Sequence, residues 1–336
     1  MTGQGLVGLI RHRYGVAVSA LALLALVAAN LGTAAAEFAG IAAGSELLGI
    51  SRFIAVPLSA VLVSWLVLAG SFHRVEHVLI ALAGVFVAYV GAGLLAHPDW
   101  SAAFSGLVTP RMSFGHQETL IVAATVGTTL APWGLSFIQS YAVDKKLTTR
   151  DLAYERTDVV MGAALTGVID FFVVVASAAT LNRHGLHIDS AEDAAQALTP
   201  IAGDLASTLF AVGLIGAALL AAAVLRLSTA YSICDFTGSE AALDASFSEA
   251  RLFYVANLAI TAAAAAVVLT PGVPLVTLLV STQTLNAILL LPLLVLMLRL
   301  SRDHTILGAH VVTRGWAAVQ ALIVVAVFAC VAIFLL

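Results

Sequence analysis

Nine apolar runs, each long enough or nearly long enough to cross a bilayer, follow one another with only short polar breaks. A membrane-spanning helix needs about 20 mainly apolar residues. Runs meeting that measure cover residues 14–48, 53–72, 77–96, 117–143, 158–181, 202–236, 252–270, 273–299 and 315–336. No alternating pattern of the strand type competes, so the chain reads as an all-α membrane protein of about nine transmembrane helices. The first and sixth runs are long and are expected to tilt or to run on past the bilayer. Gly, Pro and charged residues collect between the runs, where loops belong. No stretch is left for a separate soluble domain, so residues 1–336 are expected to form a single transmembrane domain.

Composition agrees. Of 336 residues, 61% are hydrophobic and 10% charged, whereas a soluble domain carries roughly 25% charged residues. The net charge of −4 and the lack of any basic block exclude an electrostatic nucleic-acid footprint. Cys234 and Cys330 are far apart in apolar surroundings and read as packing residues rather than as a disulfide or metal pair. Arg11 and Arg13 ahead of an apolar run ending near Ala34-Ala35-Ala36 imitate a signal peptide. The run is long for that role and further spans follow it, so it is expected to be retained.

Charge placement sets the expected topology. Arg11, Arg13, Arg74, Lys145, Lys146, Arg150, Arg156, Arg226, Arg251, Arg299, Arg302 and Arg314 fall on the side of the N-terminus, and Arg52, Arg111 and Arg183 on the other, 12 against 3. Cytoplasmic loops carry the excess of Lys and Arg. The N-terminus is therefore expected in the cytoplasm and the C-terminus outside, in a multi-pass protein of the plasma (inner) membrane.

Few ionisable groups lie inside the runs, and each is a functional candidate because its insertion is costly, about 2.5–3.5 kcal/mol. Glu37 sits midway along the first run among small residues. Its plainer alternative is a buried carboxylic acid bonding a neighbouring helix. Asp170, Arg226 and Asp235 are similar, each with the plainer reading of reaching an interface or a partner. The nine histidines fall in loops or at run edges, which argues against a histidine proton relay. The fourth run contains Gly127-Thr-Thr-Leu-Ala-Pro132-Trp133-Gly134. Proline removes a helical hydrogen bond and clashes with the preceding turn, so the helix is expected to break, freeing backbone groups at mid-membrane. Irregular backbone at that depth belongs where it lines a cavity; a plain proline kink is the alternative. In the eighth run Gln283 and Asn286 are three apart, so they share a face. Amide oxygens suit hard cations, and interhelical hydrogen bonding is the rival role.

These segments together resemble the NRAMP family of divalent-metal transporters. The resemblance rests on Gly127-Thr-Thr-Leu-Ala-Pro-Trp133, on Ser281-Thr-Gln283-Thr-Leu-Asn286 with Pro292, on Thr2-Gly-Gln-Gly-Leu6 before Arg11-His-Arg-Tyr-Gly15, and on Ala36-Glu37-Phe-Ala-Gly40 with Leu47-Leu48-Gly49-Ile50. It runs over nearly the whole chain and is nearest to the bacterial NRAMP-related branch that includes magnesium transporters. It implies a LeuT-like, inverted-repeat fold of eleven helices, with the nine runs as family helices three to eleven. The family's first helix carries Asp-Pro-Gly-x-Asn, and no Asp-Pro-Gly occurs here. The expectation is a piece of a longer protein, with a degenerate, non-transporting remnant as the alternative.

Carried over by resemblance, the metal-site positions are Thr128, Ala131 and Gln283, and the pathway or coupling positions are Glu37, Trp133 and Asn286. Ala131 stands where the family has a metal-binding Met, Trp133 where it has a His, and Ala34 where proton-coupled members have an acid. Loss of the thioether favours oxygen-loving ions, so the expected substrate is a divalent cation, Mg²⁺ or Mn²⁺ before Fe²⁺, with weak or no proton coupling. A proton-coupled Mn²⁺/Fe²⁺ importer is the near rival. No resident cofactor and no obligate protein partner are expected; the partners are the ion and the lipid bilayer. No nucleophile–base pair or phosphate loop points to an enzyme.

Overall fold

In a computed structural model, residues 2–68, 84–109, 115–181, 190–239 and 247–335 are described, and among them every regular element is helical. We label the helices α1 (Leu6–Leu47), α2 (Arg52–Leu68), α3 (Ala88–Leu95), α4 (Trp100–Val108), α5 (His116–Thr129), α6 (Pro132–Asp144), α7 (Leu152–Thr180), α8 (Ala206–Thr237), α9 (Arg251–Leu269), α10 (Leu275–Leu300) and α11 (Arg314–Leu335). Short helical turns fill residues 84–87, 191–205 and 304–310. Seven helical spans are long and apolar enough to cross a membrane, and two shorter apolar ones, Arg52–Leu68 and Gly84–Leu95, accompany them. Over its described part, each of the nine apolar runs is found as helix. The start of the run 77–96 lies outside the described residues, as do residues 69–72 of the second run and the loop charges Arg74, Arg111 and Arg183.

Two elements depart from the sequence expectation. Helix α1 starts at Leu6 rather than near residue 14, and it is broken at Gly15, whose φ of 84° lies in the region that glycine favours. Residues 6–14 therefore leave the axis of the main rod, which begins after Gly15. Their apolar side chains Leu6, Val7, Leu9 and Ile10 pack with Leu293 and Leu300 at the end of α10. Helix α4 falls where the sequence expectation places a loop. It is short, and the Asp99 side chain caps it by accepting from Ala102 N at 3.0 Å.

The centre is built from α1, α8 and α10. Lipid is as apolar as leucine, so burial of apolar surface does not pull membrane helices together; close packing and interhelical hydrogen bonds do. Small residues Gly32, Ala36, Gly40 and Gly44 recur every fourth position of α1. At Gly44 a Cβ would stand 2.9 Å from Ile215 Cγ1 and 3.1 Å from the Ala211 carbonyl, so only glycine lets α8 lie this close. At Gly40 it would meet Ala218 at 3.4 Å, and at Gly32 Thr282 of α10 at 3.5 Å. Helices α2 and α9 pack beside α1 and α8, while α5 and α11 flank α10. Outward-facing Leu21, Leu24, Leu58, Trp65, Val160, Leu165, Leu322 and Phe328 are exposed, as a lipid-facing surface requires.

Candidate functional site

The fourth run is interrupted where the proline argument puts it. Helix α5 ends at Thr129, Leu130 and Ala131 leave the helical path, and α6 starts with Pro132 at its first position. Ala131 is extended, with φ −66° and ψ 133°, as a residue before proline must be. In an unbroken helix the Thr128 carbonyl would accept from the N–H of residue 132. Residue 132 is proline and has no N–H, so that carbonyl is freed by sequence alone. It belongs to the C-terminal end of a half-helix, where the peptide dipoles sum to a partial negative charge. Leu130 N still donates to the Val126 carbonyl at 3.0 Å. Thr125 and Thr129 turn their hydroxyls back onto the Ile121 and Thr125 carbonyls at 2.8 and 2.7 Å, which bends a helix slightly and occupies those hydroxyls.

Helix α10 lies against this end of α5. Gly127 is buried, and a Cβ on it would fall on the Gln283 carbonyl and 2.7 Å from Ala287 N. The backbone of the last α5 turn therefore touches the turn of α10 that carries Gln283. From there a polar chain crosses to α1. Asn286 Nδ2 donates to Gln283 Oε1 at 3.0 Å and to Thr33 Oγ1 at 2.7 Å, and Thr33 passes its own proton to the Ala29 carbonyl at 3.0 Å. Asn286 is fully buried, and its Oδ1 has no hydrogen-bond partner among the described residues. Glu37 sits one helical turn beyond Thr33, half-buried, on the same side of α1. One turn before Thr33, Asn30 Nδ2 donates to Thr229 Oγ1 of α8 at 2.9 Å, and its Oδ1 is also buried without a partner among the described residues.

Two of the expected positions, Gln283 and Asn286, are bonded to each other on α10, and Thr128, an exposed residue, follows Gly127, whose backbone touches that of Gln283. Ala131 lies half-buried in the break itself. Trp133 is in the first turn of α6, but its side chain packs on the apolar cluster of α1 and α8 that includes Ala34 and Phe38. Its carbonyl accepts from Ser228 Oγ at 2.9 Å. Thr33 and Asn30 were missed, although Asn30, Thr33 and Glu37 form a polar stripe at i, i+3, i+7 that marks one helix face. Asp170 is exposed on α7 and stands apart from this spot. Asp235 accepts from Ser140 Oγ at 2.9 Å at the far end of α8. Among the described residues no three His, Cys, Asp or Glu side chains gather. The donors at the break are amide, hydroxyl and main-chain oxygens, a set suited to hard cations.

An interrupted apolar span, packed through Gly127 on an amide-bearing helix inside an all-helical bundle, marks a multi-pass membrane protein. Residues 1–336 match the family described as Nramp, natural resistance-associated macrophage protein-like, and the chain belongs to that family. Its fold is the LeuT type of that family. Among curated relatives, a Divalent metal cation transporter MntH of Deinococcus radiodurans is 29% identical over 239 residues, covering 66% of this chain and 53% of the relative. Another protein of that name, from Vibrio campbellii, is 32% identical over 199 residues, covering 56% of this chain and 46% of the relative. A third, from Bacillus subtilis, is 24% identical, covering 61% and 49%. The chain spans about half the length of the curated relatives it matches.

Proposed function

We propose that this chain carries divalent metal cations across the plasma membrane as a single transmembrane domain of residues 1–336, with its N-terminus in the cytoplasm. The relatives' name, divalent metal cation transporter, supports the substrate class. The observation that carries the reading is the break at Leu130–Ala131, with Gly127 laid on the Gln283 backbone. The Thr128 carbonyl and the Gln283 amide oxygen contact the ion, the carbonyl of Ala131 lines its path, and Asn286 orients Gln283 through its hydrogen bond. Glu37 places a carboxyl group one turn beyond Thr33 on α1, and Trp133 seals the site against the α1–α8 core.

The neutral oxygen set favours an ion that keeps several waters, so Mg²⁺ and Mn²⁺ are preferred over Fe²⁺. Ala34 and Trp133 are groups that cannot carry a proton, so coupling to protons is weak or absent. Flux of Mg²⁺ and Mn²⁺ into proteoliposomes tests this, with and without an inward proton gradient. Flux that persists without the gradient and falls at least tenfold in Gln283→Ala is expected. Strict dependence on the gradient would establish the rival, a proton-coupled Mn²⁺/Fe²⁺ importer, for which the half-buried Glu37 is the relay.

A further inference from the structure

Away from the helix break, between α2, α8 and α9, lies a buried positive charge with no ion-pair partner among the described residues. Arg226 of α8 is 2% exposed. One of its Nη groups donates to the Val63 carbonyl of α2, the other to Thr261 Oγ1 of α9 at 3.2 Å. Its Nε is buried and has no hydrogen-bond partner among the described residues, and the same holds for Nδ2 of Asn257, which is 1% exposed. Thr261 donates to the Asn257 carbonyl at 2.8 Å, so Asn257 stands one turn of α9, about 5.4 Å, from the hydroxyl that holds the guanidinium. Among the described residues the ion pairs join Arg13 to Asp303 and Arg52 to Glu46; none includes Arg226.

The groups left over here are all of one kind. Among the described residues two buried N–H donors lack an acceptor, and the positive charge lacks a counter-charge. A buried donor is expected to be satisfied, and a lone buried charge is strongly unfavourable. A water molecule would meet the donors and leave the charge; a metal cation would be repelled by both. We propose that Arg226 and Asn257 hold a small monovalent anion of the chloride class inside the bundle. It bridges α8 to α9, and through the Arg226–Val63 bond to α2. Because Ser228, the next polar residue of α8, carries α6, the anion also steadies the helix that follows the break.

The rival counter-charge is the Glu37 carboxylate, since α1 packs on both α8 and α9. The test is thermal melting of the purified chain in detergent, titrated from sodium gluconate to sodium chloride at constant ionic strength. The wild type is expected to gain several degrees, saturably. Asn257→Asp places a carboxylate where the anion sits, so it is expected to be as stable in gluconate as the wild type in saturating chloride, and indifferent to chloride. This variant keeps the test decisive if Arg226→Gln fails to fold. Crystals grown in bromide are expected to show anomalous scattering beside Arg226 Nε. Equal wild-type melting in both salts, or a chloride response retained in Asn257→Asp, would overturn the proposal. An equal response with Glu37→Gln as damaging as Arg226→Gln would assign the counter-charge to Glu37 and overturn it too.

Discussion

The two halves of the interrupted helix are held in place by different physics. Helix α5 is fixed by shape. Gly127 brings its backbone onto α10, and Val126 and Leu130 pack with Ala287, Leu290 and Val327. Helix α6 is fixed by hydrogen bonds to α8, arranged as a ladder. Ser228 Oγ donates to the Trp133 carbonyl at 2.9 Å, Ser136 Oγ donates at 2.8 Å to Ser232 Oγ, whose own proton goes to the Ser228 carbonyl, and Ser140 donates to Asp235 at 2.9 Å. Farther along, Tyr231 Oη donates to Asp144 at 2.6 Å. Packing tolerates no added volume and fails steeply, whereas a ladder of hydroxyls fails in steps. The proposed cation site falls at the seam, with one immovable wall and one wall joined by bonds that can be exchanged.

Substitutions should separate these walls. Gly127→Leu is expected to cost about 3 kcal/mol or more, because backbone of α10 blocks the new side chain; thermal melting in detergent measures it. A small cost would mean that α5 is as adaptable as α6. Next in size, Ser136→Ala is expected to cost about 1 kcal/mol. Ser232→Ala made in the same background should add less than its cost alone, because the two share one bond. Full additivity would remove the ladder from the comparison. Pro132→Ala returns an N–H to the Thr128 carbonyl, so it should leave stability within about 1 kcal/mol yet weaken cation binding. Unchanged binding would show that the freed carbonyl is not a ligand.

The smallest effect lies outside the bilayer, at the junction that ties residues 6–14 to the loop after α10. Asp303 accepts from the Thr305 hydroxyl at 2.6 Å and amide at 2.9 Å, and from Arg13. These bonds, the Thr305 hydroxyl first, hold its carboxyl down to about 2. The unfolded value is about 3.9. A depressed acid contributes stability above the unfolded value and loses it as the pH falls through the folded one. Thr305→Ala should therefore melt slightly below the wild type above pH about 4, and the gap should close toward pH about 2. A gap that widens with acid would contradict the assignment.

Much of this was legible because it is local. A run of 20 apolar residues declares a span whatever surrounds it, and Pro132 frees the Thr128 carbonyl by chemistry that needs no partner. The face shared by Gln283 and Asn286 follows from helical spacing, and their 3.0 Å bond bears it out. What could not be read is pairing over distance. Thr33 meets Asn286 across 253 positions and Asn30 meets Thr229 across 199, and nothing in either local sequence selects the other. The serine ladder is similar: its spacing is helical, but only packing says that α6 faces α8. Helix α4 was hidden by its length, since nine residues after Pro98 and Asp99 read equally well as a loop. Trp133 shows the opposite limit, for a motif position does not reveal that its ring turns into the α1–α8 core.

The central claim is that a divalent cation is held where the end of α5 meets Gln283. Titration of purified wild type and Gln283→Ala with Mn²⁺ and Mg²⁺ by calorimetry, with melting curves to confirm that both are folded, tests it most directly. Saturable binding by the wild type that weakens at least tenfold in a folded Gln283→Ala is the predicted result. Equal binding by both proteins, or none by a folded wild type, would contradict it.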